Sequence, residues 1–219
     1  MNLSHGEKRK LFEREFSAPF LKSVVSALEK LYPETFEETG DLPKSFQRYL
    51  QPHLLRAKAE VALMKAAGQH QLVSTVAYNR SGDGHTLIVA DPFVVTLSRA
   101  DGPRVPPRRA NFRRDYSSYA SLGQFPLPFV EADGESEPIP VRDQTHPIYV
   151  VVAHGPLEGT SQQVGFIVAN FLALDGEHYI GLGWNLLSMY GTMRETTEEV
   201  VAEPSVKMRT DSDEHQALG

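Results

Sequence analysis

The sequence predicts an α+β fold: an N-terminal helical layer packed on a mainly antiparallel sheet of about six strands, then a C-terminal helix and a flexible tail. Three observations carry this. Apolar residues recur at the helical period through the first 68 positions. Six later runs are rich in β-branched and aromatic residues, as strands are. Within each group of three runs the connections are too short for crossover helices, which favours antiparallel pairing.

In the helical layer, Ser4 and Glu7 form a capping-box pattern ahead of Leu11, Phe12 and Phe16. Pro19 fits badly in a helix interior, so the chain should bend there and restart with Ser17 as cap. Leu21, Val24, Val25, Leu28 and Leu31 then follow one face. The stretch YPETFEETGDLP, with Pro33, Gly40 and Pro43, should end that helix. Asp41 is the expected cap of a second helical region holding Phe46, Tyr49, Leu50, Leu54, Leu55, Val61 and Met64. Pro52 should kink that region and Gly68 should stop it.

LVSTVAYN and HTLIVA flank RSGDG and read as a hairpin, with FVVTLSR as a third strand after the turn at Asp91-Pro92. IYVVVA, QVGFIVANFLAL and HYIGLG supply three more, with the tight turn DGE (175–177) between the last two. The final helix is expected from Trp184 or Leu186 to Val201, weakened by Gly191, and Trp184 reads as a core anchor. These boundaries give a helical layer over 1–68, a β-rich core over 69–201 and a polar tail over 202–219 expected to be disordered, as one domain overall.

Between the strand groups lies an Arg/Pro-rich loop, 101–145, long enough to suggest a functional role. RANFRRDYSSYASLG should form a short helix with Phe112, Tyr116 and Tyr119 on one side. FPLPFVEADGESEPIP should follow as an extended, partly acidic crossing.

Composition limits the function classes. The 219 residues include no cysteine, which excludes disulfides, a thiolate nucleophile and cysteine-ligated zinc. No apolar run reaches the roughly 18 residues of a membrane span, so no membrane partner is expected. The N-terminus lacks the apolar core of a signal peptide, and cytoplasmic residence is the expectation. The net charge of -6 argues against a general nucleic-acid coat. Yet residues 99 to 115 carry six arginines against two aspartates, a local +4 that leaves about -10 for the remainder. Anion binding would therefore be confined to this loop.

The loop supplies the candidate binding residues: Arg104, Arg108, Arg109, Phe112, Arg113, Arg114, Tyr116 and Tyr119. Guanidinium forks bind phosphate or carboxylate in bidentate fashion, and interleaved rings can stack on unpaired bases. A nucleic acid or an acidic protein surface is the partner this chemistry suits. Four arginines on phosphates would give a salt slope of roughly -3 to -4. A plainer reading pairs the arginines with the chain's own acids, among them Glu34, Glu37, Glu38 and the run from Glu131 to Glu137. Polyanion binding requires exposed, unpaired guanidiniums, and a protein hot spot requires exposed Phe112, Tyr116 and Tyr119.

The main expectation is a non-enzymatic binding or regulatory protein. The enzymatic alternative is a small metal-independent nuclease, toxin-like in kind. In it His154 moves protons, Tyr116 or Tyr119 acts as acid, and Arg113 or Arg114 stabilises the phosphorane. A third reading makes the N-terminal helices a homo-oligomer interface and the loop purely structural. No metal or cofactor is expected. Asp83, His85 and Asp91 around the hairpin, and His146, His154 and His178 near strand ends, lack a tight ligand spacing. Ser161 in GTSQQ lacks a nucleophile elbow, and no phosphate-cradling glycine loop is present.

Overall fold

The computed structural model describes residues 4–78, 82, 84–108, 110–122, 148–173, 175–181 and 183–192. The acidic crossing, most of the stretch expected as the C-terminal helix, and the tail lie outside the described residues. Helices α1 (His5–Glu15), α2 (Ala18–Glu38) and α3 (Lys44–Gln69) come first. Strands β1 (Val73–Tyr78), β2 (Gly84–Ala90) and β3 (Phe93–Arg99) follow. Helix α4 (Asn111–Leu122) precedes β4 (Ile148–Pro156), β5 (Val164–Phe171), β6 (Trp184–Asn185) and the short α5 (Leu186–Tyr190). Among the described residues no helix is long and apolar enough to cross a membrane.

The helix starts follow the sequence at α1 and α2. Ser4 and Glu7 complete a capping box, and the Ser17 side chain accepts from Phe20 N–H with Pro19 in the first turn. Elsewhere tertiary packing overrides the punctuation. Helix α2 runs through Pro33 to Glu38, because Tyr32 and Thr35 on either side of it are buried and hold the register. Pro52 likewise lies inside α3, whose N-cap is Pro43 and not Asp41. Gln47 Nε2 instead donates to the carbonyls of Gly40 and Leu42. The helix stop is Gln71, not Gly68. At φ 58°, Gln71 takes the left-handed position and the Leu72 N–H reaches back to Ala67 O at 2.9 Å.

The expected apolar residues of α3 are also redistributed. Leu55, Ala59, Leu63, Ala66 and Ala67 face the core, while Phe46, Tyr49, Leu50, Val61 and Met64 are exposed.

The sheet is six-stranded in sequence order, β1 through β6, and antiparallel except where β3 meets β4. That pair is parallel because its long connection, which carries α4, is a crossover. The segment HYIGLG is not a strand. Only Tyr179 bridges to Leu172, Gly181 has φ +72°, and the sixth strand is Trp184–Asn185. Helix α5, capped by Asn185, ends at Tyr190 instead of running on to Val201.

Alternation along the strands separates two faces. Ile88, Val95, Val150, Val152 and Ile167 lie against the Phe12, Phe16, Leu21, Val25 and Leu63 side chains of the helical layer. Trp184 joins that core, its ring 5.1 Å from Phe12. On the opposite face Leu87, Val94, Tyr149 and Val151 meet Tyr116 and Phe112 of α4.

One irregularity positions the sites below. Strand β3 stays paired with β4 from Phe93 to Arg99, but pairs with β2 only from Phe93 to Val95. The first half of β2 therefore parts from β3, and the sheet forks. The Thr86 N–H is taken by the Glu60 carboxylate of α3, Oε2 at 2.7 Å, and the Thr86 hydroxyl donates to Glu60 O at 2.9 Å.

Candidate functional site

The arginine loop is fixed to the sheet by one of its own cations. Arg113 is buried, and its Nη2 donates to Ser98 Oγ on β3 at 2.6 Å. Its Nη1 donates to the Arg108 carbonyl. The guanidinium lies 5.0 Å from the centroid of the Phe112 ring, a cation–π contact. Burial lowers the pKa of Arg113, opposed by Tyr149 and Tyr179 nearby. Two further ties hold the loop. Tyr179 Oη donates to Val105 O at 3.3 Å, and Gly176 packs where an added Cβ would come 2.5 Å from Arg114 N. At φ +69°, Gly176 is also the left-handed residue of the expected 175–177 turn.

Arg104, Arg108 and Arg114 are exposed. Among the described residues none of the three has a carboxylate within 4.0 Å. Arg109 and the side chain of Tyr119 lie outside the described residues. The aromatic residues turn inward. Phe112 stacks on His85 with ring centroids 4.2 Å apart, and Tyr116 Oη lies 3.1 Å from His85 Nε2. Burial pushes the Tyr116 phenol up to about 12. The short helix was expected; the exposed aromatic patch that a protein hot spot would need is not formed by Tyr116, which is buried.

His154 is not brought to this loop. It sits on the face that packs under α2, where Tyr32 Oη is 2.9 Å from its Nδ1. Burial and then the Arg99 charge lower its pKa to about 3, so it is neutral throughout the physiological range. Arg113, anchored through the preceding residue of β3, is on the other face. The nuclease set of His154, Tyr116 and Arg113 therefore does not converge.

The histidine and aspartate groups considered as metal ligands fall only partly within the described residues. Among the described residues no group of three or more His, Asp or Glu side chains could hold a metal ion. Asp83 and His146 lie outside the described residues. His178 is exposed and pairs with Asp175 at 2.6 Å, which raises the imidazole. Asp175 falls to about 2, chiefly through the Glu177 N–H and the His178 side chain.

A cleft that sequence reasoning missed lies between α3 and the β1–β2 hairpin. It holds about 340 Å³ and is lined by His53, Arg56, Ala57, Glu60, Val61 and Met64 of α3 and by Val76, Gly84, His85 and Thr86. Its titratable centre is Glu60. Burial raises this carboxyl to about 7, against the Thr86 hydrogen bonds and the charges of Arg56 and Arg113. The signal for it was faint: an acid beside the buried Ala59 of α3, and a lone Thr86 among the apolar residues of HTLIVA. Neither belongs to a motif, and the sheet fork that joins them is a tertiary feature.

No family model, curated protein or solved structure matches this chain.

Proposed function

We propose that this chain is a non-enzymatic binding protein that engages nucleic acid through the arginine loop. The observation that supports it is the division of labour among the arginines. Arg113 is spent on anchoring, while Arg104, Arg108 and Arg114 face outward without a carboxylate partner among the described residues. A loop stapled to a sheet presents its cations at lower entropic cost than a free one. Because Phe112 and Tyr116 are committed to His85, these two rings are not offered to bases, and the contact rests on the sugar–phosphate backbone. The same inward turn disfavours the alternative of an acidic protein surface, which would draw on aromatic anchors. The separation of His154 from Arg113 favours binding over cleavage. Cytoplasmic residence belongs to this reading and is supported by the cysteine-free composition.

The test is a titration of the full chain against labelled single-stranded RNA, single-stranded DNA and duplex DNA at two salt concentrations. Three arginines predict a slope of log K against log salt of roughly -2 to -3. The triple variant R104A/R108A/R114A should fold normally and lose that binding. An unchanged affinity in the triple variant would overturn the reading, and shortened strands on a gel would move the chain to the nuclease class.

A further inference from the structure

Besides the arginine loop, we propose that the cleft between α3 and the β1–β2 hairpin is a binding site for a guanine nucleotide. The site is distinct from the loop surface and does not depend on it. Three features define the ligand. Val61, Met64 and Val76 give the cleft apolar walls, and Val61 and Met64 are 44% and 37% exposed with no covering element among the described residues. Such walls suit the faces of a flat ring. Deep in the cleft, Glu60 has one carboxylate oxygen held by the Thr86 N–H, which fixes its orientation. Its Oε1 has no hydrogen-bond partner among the described residues. Oε1, with the remaining lone pair of Oε2, can accept the adjacent N1–H and N2–H of guanine, a pair of donors that adenine does not present. One and two turns back along α3, the exposed Arg56 and His53 line the same cleft, where a phosphate attached to that base would find its counter-charge.

A volume of about 340 Å³ is at the lower end for ligand sites and suits a single nucleotide. Several alternatives fit less well. An ammonium ligand would be repelled by Arg56, and a purely apolar one would leave Glu60 Oε1 without a partner. The base could arrive as a free nucleotide or as a nucleotide of a single strand, and the chemistry of the pocket is common to both.

The experiment is calorimetric titration of the full chain with GMP, AMP and guanosine at pH 8, above the Glu60 pKa of about 7, so that the carboxylate is ionised. Two short single-stranded RNAs, differing only by one guanine replaced with adenine, form a second arm. GMP should bind saturably, with AMP at least about tenfold weaker, the loss expected from unmaking a charge-assisted hydrogen bond. E60Q keeps an acceptor for Thr86 N–H but loses the ionised carboxylate, and should lose GMP binding. R56A should weaken GMP and leave guanosine unchanged. V61W, at an exposed position where folding is not at stake, should fill the cleft and abolish both. The triple arginine variant should retain GMP binding, so this site and the loop fail independently. Binding of GMP itself identifies a free nucleotide, and binding of only the guanine-containing strand identifies the strand. No saturable binding of either overturns the proposal. Equal affinity for GMP and AMP, or full GMP binding by folded E60Q and V61W, also overturns it.

Discussion

At the scale of single residues, a half-buried carboxyl and a buried imidazole give the protein opposite pH responses. Glu60 has a folded pKa of about 7 against an ordinary carboxyl value of 4.5. The folded state therefore holds a proton that the unfolded chain releases. This contribution is fully present below pH 4.5 and is lost as pH rises through about 7. It amounts to about 3 kcal/mol. His154 runs the other way, since its folded pKa of about 3 lies below 6.5. Its contribution is present above pH 6.5 and lost as pH falls toward 3. Denaturant midpoints should therefore change little between about pH 4.5 and 6.5, where the two slopes oppose, and decline from there to pH 7. E60Q should remove that decline and be more stable than wild type at pH 8. A wild-type profile still rising above pH 6.5 would contradict this account of Glu60. Arg113 is a third residue with a large predicted effect. R113A leaves Ser98 Oγ and the Arg108 carbonyl without their donor and should cost about 2 kcal/mol in urea unfolding. Of these residues Arg113 stood out in the sequence as a ligand contact and His154 as a proton-transfer candidate, while Glu60 did not stand out; nothing in the spacing of charges told the anchoring arginine from its exposed neighbours.

At the scale of elements, the parts set by local chemistry were legible and the parts set by packing were not. The capping box at Ser4, the restart at Ser17, the β1–β2 hairpin and α4 follow from adjacent residues. Pro33 misled because its effect is outweighed by burial of Tyr32 and Thr35, Tyr32 against His154 of the sheet, a partner that becomes visible only once the layers are assembled. HYIGLG reads as a strand by composition, yet Gly181 at φ +72° cannot continue an extended ladder. The end of α3 offers a clean test. Gln71 occupies a left-handed conformation that glycine adopts without steric penalty, so Q71G should stabilise the protein by about 1 kcal/mol. A thermal midpoint below that of wild type would show that the Gln71 side chain contributes more than its backbone strain.

At the scale of the whole molecule, an acidic chain carries a compact basic segment on the face of the sheet opposite its helical layer. The concentration of arginine was plain from the sequence. Which guanidiniums are satisfied internally was not, because Ser98 and Arg113 are brought together only by the crossover from β3 to β4. The cleft at Glu60 left only a faint trace for the same reason, being made by the fork between β2 and β3. The measurement that bears most directly on the central claim is binding of single-stranded RNA by the wild-type chain and by R104A/R108A/R114A at low and moderate salt. Salt-dependent binding that the folded triple variant lacks is the predicted result. Binding that survives the three substitutions, or none by the wild type at low salt, would contradict it.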